Sequence, residues 1–141
     1  MIIKIEENGG MHETEITIRC PEINDEINNI VAELRLFNRC ISGKRGENLY
    51  VINFTDIFYF DTADRKTFIY TKDGVYETSH NLQRLEEMTG KTSFVRANKS
   101  CIINLKKVRS FSNALTSSKM TAYLDNGEKI EISRMYAPLV R

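Results

Sequence analysis

The chain has 141 residues, 41% of them hydrophobic, and a formal net charge of +1 at pH 7. This length suits one domain, or one domain with a small appendage, and the apolar content is sufficient for a core. No segment approaches the roughly eighteen apolar residues of a membrane-spanning helix, and charge interrupts the first apolar run too early for a signal peptide, so we expect a cytoplasmic protein.

The first 39 residues differ from the rest in charge, with four basic and eight acidic side chains against sixteen and eleven in residues 40–141. Residues 2–5 and 13–19 alternate apolar with polar side chains around a Gly9-Gly10 turn, which predicts a β-hairpin. A helix of about three turns is predicted after Pro21 from the spacing of five apolar residues, Ile23, Ile27, Ile30, Val31 and Leu34. Residues 1–39 are therefore predicted to form a small ββα unit for dimerisation or for docking a partner.

From residue 40 onward, short apolar runs alternate with turn residues, which predicts antiparallel strands. Two dipeptides, Asp73-Gly74 and Asn126-Gly127, favour tight hairpins whose central residues have positive φ. The predicted strands cover residues 49–52, 57–60, 67–70, 75–78, 94–95, 101–103, 108–111, 120–124 and 129–132. The predicted fold class is mostly β with short helices, or α+β.

Two further helical segments are predicted in this body. One contains Leu82, Leu85 and Met88, with Ser79 as its cap and Gly90 as its end. The other is a helical turn in the tail, which is opened by Ser133 or starts afresh at Pro138.

Residues 94–108 contain four basic residues, no acidic residue and two short apolar runs. The pattern predicts a strand ending at Val95, an exposed polar loop over residues 96–100, and a return to the core over residues 101–103. Asparagine can read adenine, arginine and lysine can bind guanine or phosphate, and serine can donate to phosphate, so this loop indicates nucleic-acid binding. The alternative is a solvated loop whose amide caps only its own backbone.

Catalytic chemistry finds little support in the sequence. His12 and His80 have no metal-ligand spacing, and Cys101 precedes two isoleucines, so we expect it to face the core rather than to act as a nucleophile. Cys20, Cys40 and Cys101 are too widely spaced for a disulfide framework, which predicts buried free thiols. We therefore expect no enzyme activity, no cofactor, no metal and no small-molecule substrate.

Three separated blocks, residues 94–105, residues 57–61 with 67–71, and Ile132-Ser133-Arg134, resemble the LytTR (LytR/AlgR-type) DNA-binding domain. The resemblance covers roughly residues 41–141. The whole chain resembles the small stand-alone bacterial proteins of that family, which lack a receiver domain. The resemblance implies antiparallel strands whose loops, rather than a recognition helix, enter successive major grooves.

The resemblance also implies DNA contacts at three places. They are Asn98 with Arg96 and Lys99, Arg134 near the end of the chain, and Arg65 or Lys66 in the turn after residue 61.

General chemistry adds Ser100, Lys106 and Lys107 as predicted contacts with phosphate, and a solvated face is the alternative for the two lysines. Arg96 could instead pair with an acidic residue such as Asp61. Asn104 is expected to cap a short turn rather than to contact DNA.

The sequence thus predicts a sequence-specific bacterial transcriptional regulator that binds double-stranded DNA as a homodimer. A competing hypothesis is a protein-interaction module whose acidic first segment docks a membrane protein or a second protomer.

Overall fold

The computed structural model describes residues 1–37, 39–113 and 120–137. Its two helices are α1 (Asp25–Phe37) and α2 (Leu82–Met88), and short 3-10 turns cover Phe54–Asp56 and Leu105–Lys107. The strands are β1 (Cys40–Arg45), β2 (Asn48–Asn53), β3 (Ile57–Ala63), β4 (Lys66–Thr71), β5 (Gly74–Thr78), β6 (Phe94–Asn98), β7 (Cys101–Asn104), β8 (Val108–Asn113), β9 (Met120–Leu124) and β10 (Lys129–Ile132). The predicted α+β class, mostly β, is confirmed.

The strands form two antiparallel sheets. Seven strands lie in the order β2-β1-β5-β4-β3-β7-β6, and three lie in the order β10-β9-β8. The chain after β10 meets the β6 edge of the larger sheet, where the Ser133 amide donates to the Ala97 carbonyl at 2.9 Å. One edge of the seven-stranded sheet is therefore covered and the other, β2, is open.

The large sheet carries a hydrophobic cluster on each face. Phe60 and Ile102 belong to the cluster that includes Leu85 of α2, whereas Tyr59 and Ile103 belong to the cluster shared with the smaller sheet. Successive residues of a strand point to opposite faces, so β3 and β7 supply both clusters at once. This two-sided burial explains why their sequences are continuous apolar runs instead of alternating ones.

Helix α1 confirms the predicted helix in the first segment. Asn24 caps it, because the Ile27 amide donates to the Asn24 side-chain oxygen at 3.0 Å. None of the helices in the described ranges combines the length and the apolar composition that a bilayer crossing requires.

The predicted β-hairpin before α1 is wrong, because residues 1–20 contain no strand. The turn itself forms, with the Gly10 amide donating to the Asn8 side chain at 3.0 Å. A two-stranded ribbon without a third strand or a core is marginal in water, and here nothing covers its apolar residues. We call residues 1–20 the arm.

Several local predictions need correction for physical reasons. Helix α2 is capped by Asn81, which directly precedes it and accepts from the Arg84 amide at 2.8 Å, and not by Ser79. Thr71 pairs with Gly74, so the β4–β5 loop is Lys72-Asp73.

Both central residues have positive φ in the β3–β4 turn instead, where the φ angles of Asp64 and Arg65 are 53° and 65°. Cys101 is buried as predicted, but Cys20 and Cys40 are exposed because the arm and the first residue of β1 lie outside the core.

Strand β1 was missed by the sequence reasoning, and its glycine explains part of the difficulty. A Cβ atom on Gly43 would lie 2.7 Å from both the Tyr76 Cβ and the Ile52 Cδ1 atoms. The absence of a side chain therefore lets β2 and β5 side chains pack over β1.

We expect Gly43→Ala to lower the free energy of unfolding by about 1–2 kcal/mol through overpacking. Urea denaturation measures the loss, and Ser42→Ala, at an exposed position of the same strand, is the matched control. Equal stability of the two variants would contradict the packing explanation.

Candidate nucleic-acid interface

Three segments meet at one end of the large sheet: the β3–β4 turn, the β6–β7 turn and the chain that follows β10. Asp61 of β3 lies opposite Cys101 of β7, and the Thr62 amide donates to the Ser100 carbonyl at 3.0 Å, so the first two turns are neighbours. The Ser133 amide joins the third segment to Ala97 of β6. We call residues 64–66, 98–100 and 133–135 together the turn face.

The β6–β7 turn is shorter than the sequence predicts, because β6 continues through Asn98. The Asn98 side-chain oxygen accepts from the Ser100 amide at 2.9 Å and from the Ser100 hydroxyl at 3.0 Å. Its side-chain nitrogen donates to the Glu131 carbonyl at 2.8 Å. Asn98 therefore closes its own turn and also ties that turn to β10, and its amide is engaged at both ends.

The Arg96 side chain stabilises the same turn through hydrogen bonds to its backbone. Its guanidinium donates to the carbonyls of Asn98 at 3.1 Å and Lys99 at 2.8 Å, and to the Glu86 carboxylate at 2.7 Å. The side chain is 18% exposed. Three such bonds, one of them charge-assisted, make Arg96 a positioning group for the turn.

The sequence left open an ion pair between Arg96 and an acidic residue such as Asp61. Arg96 does form an ion pair, but its partner is Glu86 on α2. The Asp61 carboxylate accepts from the Thr62 amide at 2.9 Å. No local pattern links Glu86 to Arg96, because α2 comes beside β6 only through packing on the sheet.

Four cations of the turn face are exposed, and Lys66 is the one with an ion-pair partner; the other three are Lys99, Arg65 and Arg134. None of the three forms an ion pair with any residue in the described part of the chain. Arg65 stands at the tip of a two-residue turn whose left-handed backbone fits the twist of the hairpin. Three uncompensated positive charges therefore project from neighbouring segments.

The turn face also contains Lys66 and Ser133, which are partly engaged. Lys66 pairs with Glu77 at 3.4 Å, and because the Lys66 side chain is 64% exposed and that of Glu77 is 35% exposed, the pair contributes little. Ser133 opens a helical turn as predicted, since its carbonyl accepts from Tyr136 and Ala137 at 3.0 Å. Pro138, the alternative start, lies outside the described residues.

Lys106 and Lys107 lie at the opposite end of β7 from Lys99. Asn104, the last residue of β7, donates to the carbonyl of Ile57, the first residue of β3, at 2.9 Å. The Lys106 ammonium pairs with Glu33 of α1 at 3.0 Å, and the Lys107 ammonium lies 5.4 Å from the Phe58 ring centre.

The predicted cap by Asn104 is confirmed, because its side-chain oxygen accepts from the Lys106 amide at 3.1 Å. The structure therefore separates these two lysines from the turn face.

Two buried groups in the neighbouring strands β3 and β7 have raised pKa values. Cys101 directly follows the β6–β7 turn, and burial, reinforced by the charge of Asp61, raises its thiol pKa. Tyr59 donates to the Glu128 carboxylate at 2.5 Å across the two sheets, and burial followed by that hydrogen bond raises its pKa. A protonated buried thiol is a poor nucleophile.

Several known proteins resemble this chain in sequence, and one solved structure also resembles it in fold. The sequence pattern of the LytTr DNA-binding domain matches residues 47–141. The sensory transduction protein LytT of Enterococcus faecalis is 27% identical over 94 residues, which cover 64% of this chain and 37% of that protein. The transcriptional regulatory protein LytR of Staphylococcus aureus is 26% identical over 100 residues, which cover 71% of this chain and 40% of that protein.

A solved structure shows the same likeness in three dimensions. The LytTr DNA-binding domain of a methyl-accepting/DNA response regulator from Bacillus cereus is 25% identical, with a TM-score of 0.68, over 72% of this chain and 93% of that chain. The curated relatives are much longer, and this chain spans no more than 40% of their length.

Proposed function

Because the chain belongs to the LytTR family of DNA-binding domains, we propose that it is a bacterial transcriptional regulator that binds duplex DNA through the turn face. The observation that carries the proposal is the group of three exposed cations, Arg65, Lys99 and Arg134, on neighbouring segments at one end of the sheet. The proposed activity is binding rather than catalysis.

In this proposal the ends of antiparallel ribbons enter the major groove. Lys99 and Arg134 contact phosphates, and Arg65 contacts a phosphate or a guanine edge. Ser100 and Lys66 lie beside them as secondary contacts. Arg96 and Asn98 keep the β6–β7 turn in one conformation, so its cation is placed before DNA arrives and less entropy is lost on binding.

We further propose that two protomers bind adjacent half-sites. A single module of this size buries little surface and rarely reaches specific affinity alone. In this scheme residues 40–141 form the DNA-binding domain and residues 1–39 bring two copies together.

The test of the proposed surface is the salt dependence of binding to a nonspecific duplex. We expect Lys99→Ala and Arg134→Ala each to lower the slope of log affinity against log salt by about one, and to weaken binding modestly. Fluorescence anisotropy at several salt concentrations measures both quantities.

Lys106→Ala is the matched control, because Lys106 is also exposed but lies at the other end of β7. The prediction that Lys106 and Lys107 contact phosphate is tested by the same titration. A lower slope for Lys106→Ala, with no change for the other two variants, would indicate that DNA binds at the opposite end of the sheet.

The exposed acidic arm favours a second candidate function, that of a protein-interaction module. Normal association of the full chain without measurable affinity for any duplex would support this candidate over DNA binding.

A further inference from the structure

The arm has the composition of a strand but lies uncovered. Every residue from 1 to 17 is exposed, and Ile2 and Ile5 are 83% and 92% exposed. Five isoleucines and two threonines within twenty residues are typical of a half-buried strand, not of a disordered tail. The arm therefore has an apolar face that this copy of the chain does not cover.

The open edge of the large sheet, strand β2, lacks the features that usually prevent an edge strand from pairing with another strand. Strand β2 pairs with β1 at all six positions without a bulge, and it contains no charged residue and no proline. Leu49 and Val51 are 76% and 79% exposed on one face. Proteins normally guard such an edge with a lysine, a proline or a bulge, so an unguarded edge is prepared to accept another strand.

Two other edge strands, β8 and β6, differ from β2 in these respects. Strand β8 carries Arg109 and is interrupted by an irregularity between Val108 and Ser110. Strand β6 is covered by the chain that follows β10. Within the described residues, β2 is thus the edge best suited to strand addition.

Charge indicates which segment covers β2. The arm contains two basic and four acidic residues, whereas the β1–β2 hairpin, residues 40–53, contains two basic and one acidic. The arm, with a net charge of −2, is therefore complementary to the hairpin, with a net charge of +1.

We infer that two copies of this chain associate by a reciprocal exchange in which the arm of each copy adds as a strand to β2 of the other. The arrangement is two-fold symmetric, buries both uncovered surfaces at once and leaves no free β2 edge. It rests on the proposed function only for the expectation that two protomers act together on DNA.

The test measures association of the full chain without DNA, by sedimentation velocity over a range of protein concentration. We expect a dimer, and we expect Val51→Lys on the edge and the double variant Ile5→Glu/Ile16→Glu on the arm each to weaken it by roughly tenfold or more. Val75→Lys is the matched control, because Val75 is an exposed valine on a strand away from the edge. All substituted positions are exposed, so the variants should fold, which thermal denaturation checks.

Mixing the edge variant with the arm variant distinguishes reciprocal exchange from other dimers. Each homodimer has lost both arm–edge contacts, whereas the mixed pair keeps one intact contact between the arm of the edge variant and the edge of the arm variant. Native mass spectrometry should therefore detect a mixed dimer where neither variant dimerises alone.

Three results would overturn the inference: a monomeric wild type, an arm variant that dimerises normally, or a mixture that stays monomeric. Binding of the Val51→Lys variant to a single DNA half-site is measured in a separate experiment. Failure of the strand exchange can therefore be distinguished from failure of DNA binding.

Discussion

Asn98→Ala is expected to weaken specific DNA binding by about 1–3 kcal/mol and, at the same time, to lower the free energy of unfolding by about 1–3 kcal/mol. Both effects have one cause. The Asn98 amide makes three hydrogen bonds, two to Ser100 and one to the Glu131 carbonyl, and these close the β6–β7 turn and attach it to β10. Without them the turn that presents Lys99 loses its fixed position relative to Arg134.

Lys99→Ala is the matched control for this prediction. Lys99 is exposed and its side chain holds no part of the turn, so its loss should lower the salt slope and leave the free energy of unfolding unchanged. A mobility-shift titration on a regulated promoter and urea denaturation give the two measurements.

If Asn98 also reads a base, Asn98→Ala should relax preference at one base pair, whereas a pure positioning role weakens all specific sites equally. Unchanged affinity and stability would refute both roles.

Alkaline conditions are expected to destabilise the fold steeply. The pKa values of Cys101 and Tyr59 are raised in the folded protein, so the unfolded chain loses these protons first as the pH increases. The stabilisation is complete below the ordinary pKa values of 9.0 and 10.0 and is lost progressively above them. Between pH 8 and pH 11 the free energy of unfolding should fall by up to about 4 kcal/mol, since each group contributes about 1.4 kcal/mol per pH unit above its ordinary pKa.

Urea denaturation at each pH, under reducing conditions, tests this prediction. Cys101→Ala should lose the part of the slope that begins near pH 9. Tyr59→Phe should reduce the part that begins near pH 10, and the remainder belongs to Tyr70, whose pKa is also raised by burial. Each variant is compared with its own stability at pH 8, so that any cost of the substitution cancels. A Cys101→Ala protein whose stability falls as steeply as that of the wild type would show that the thiol is not responsible.

Local pattern was sufficient for much of this molecule. The strands around Tyr59, Ile69 and Ile103 were predictable because paired, buried strands need apolar and β-branched residues at consecutive positions. The cap by Asn104 was predictable because it depends on residues two positions apart. A turn at Asn126-Gly127 was predictable too, but its loop covers residues 125–128 and only Gly127 has the expected positive φ. The three blocks that resemble the family were sufficient to identify it.

Long-range packing decided what the sequence left open or misplaced. Gly43 permits β1 to lie between β2 and β5, which no local pattern indicates. Arg96 binds Glu86 instead of Asp61 because α2 packs beside β6, and the hairpin predicted in the arm does not form because no described part of the chain covers it.

The sequence by itself determined the strand-rich fold, the family and the residues at which charge is available, because these depend on composition and short spacings. Only the tertiary structure decided that Arg65, Lys99 and Arg134 share one end of the sheet while Lys106 and Lys107 lie at the other. The physical reason is antiparallel pairing, which brings together residues that are distant along the chain and separates residues only a few positions apart at the two ends of a strand.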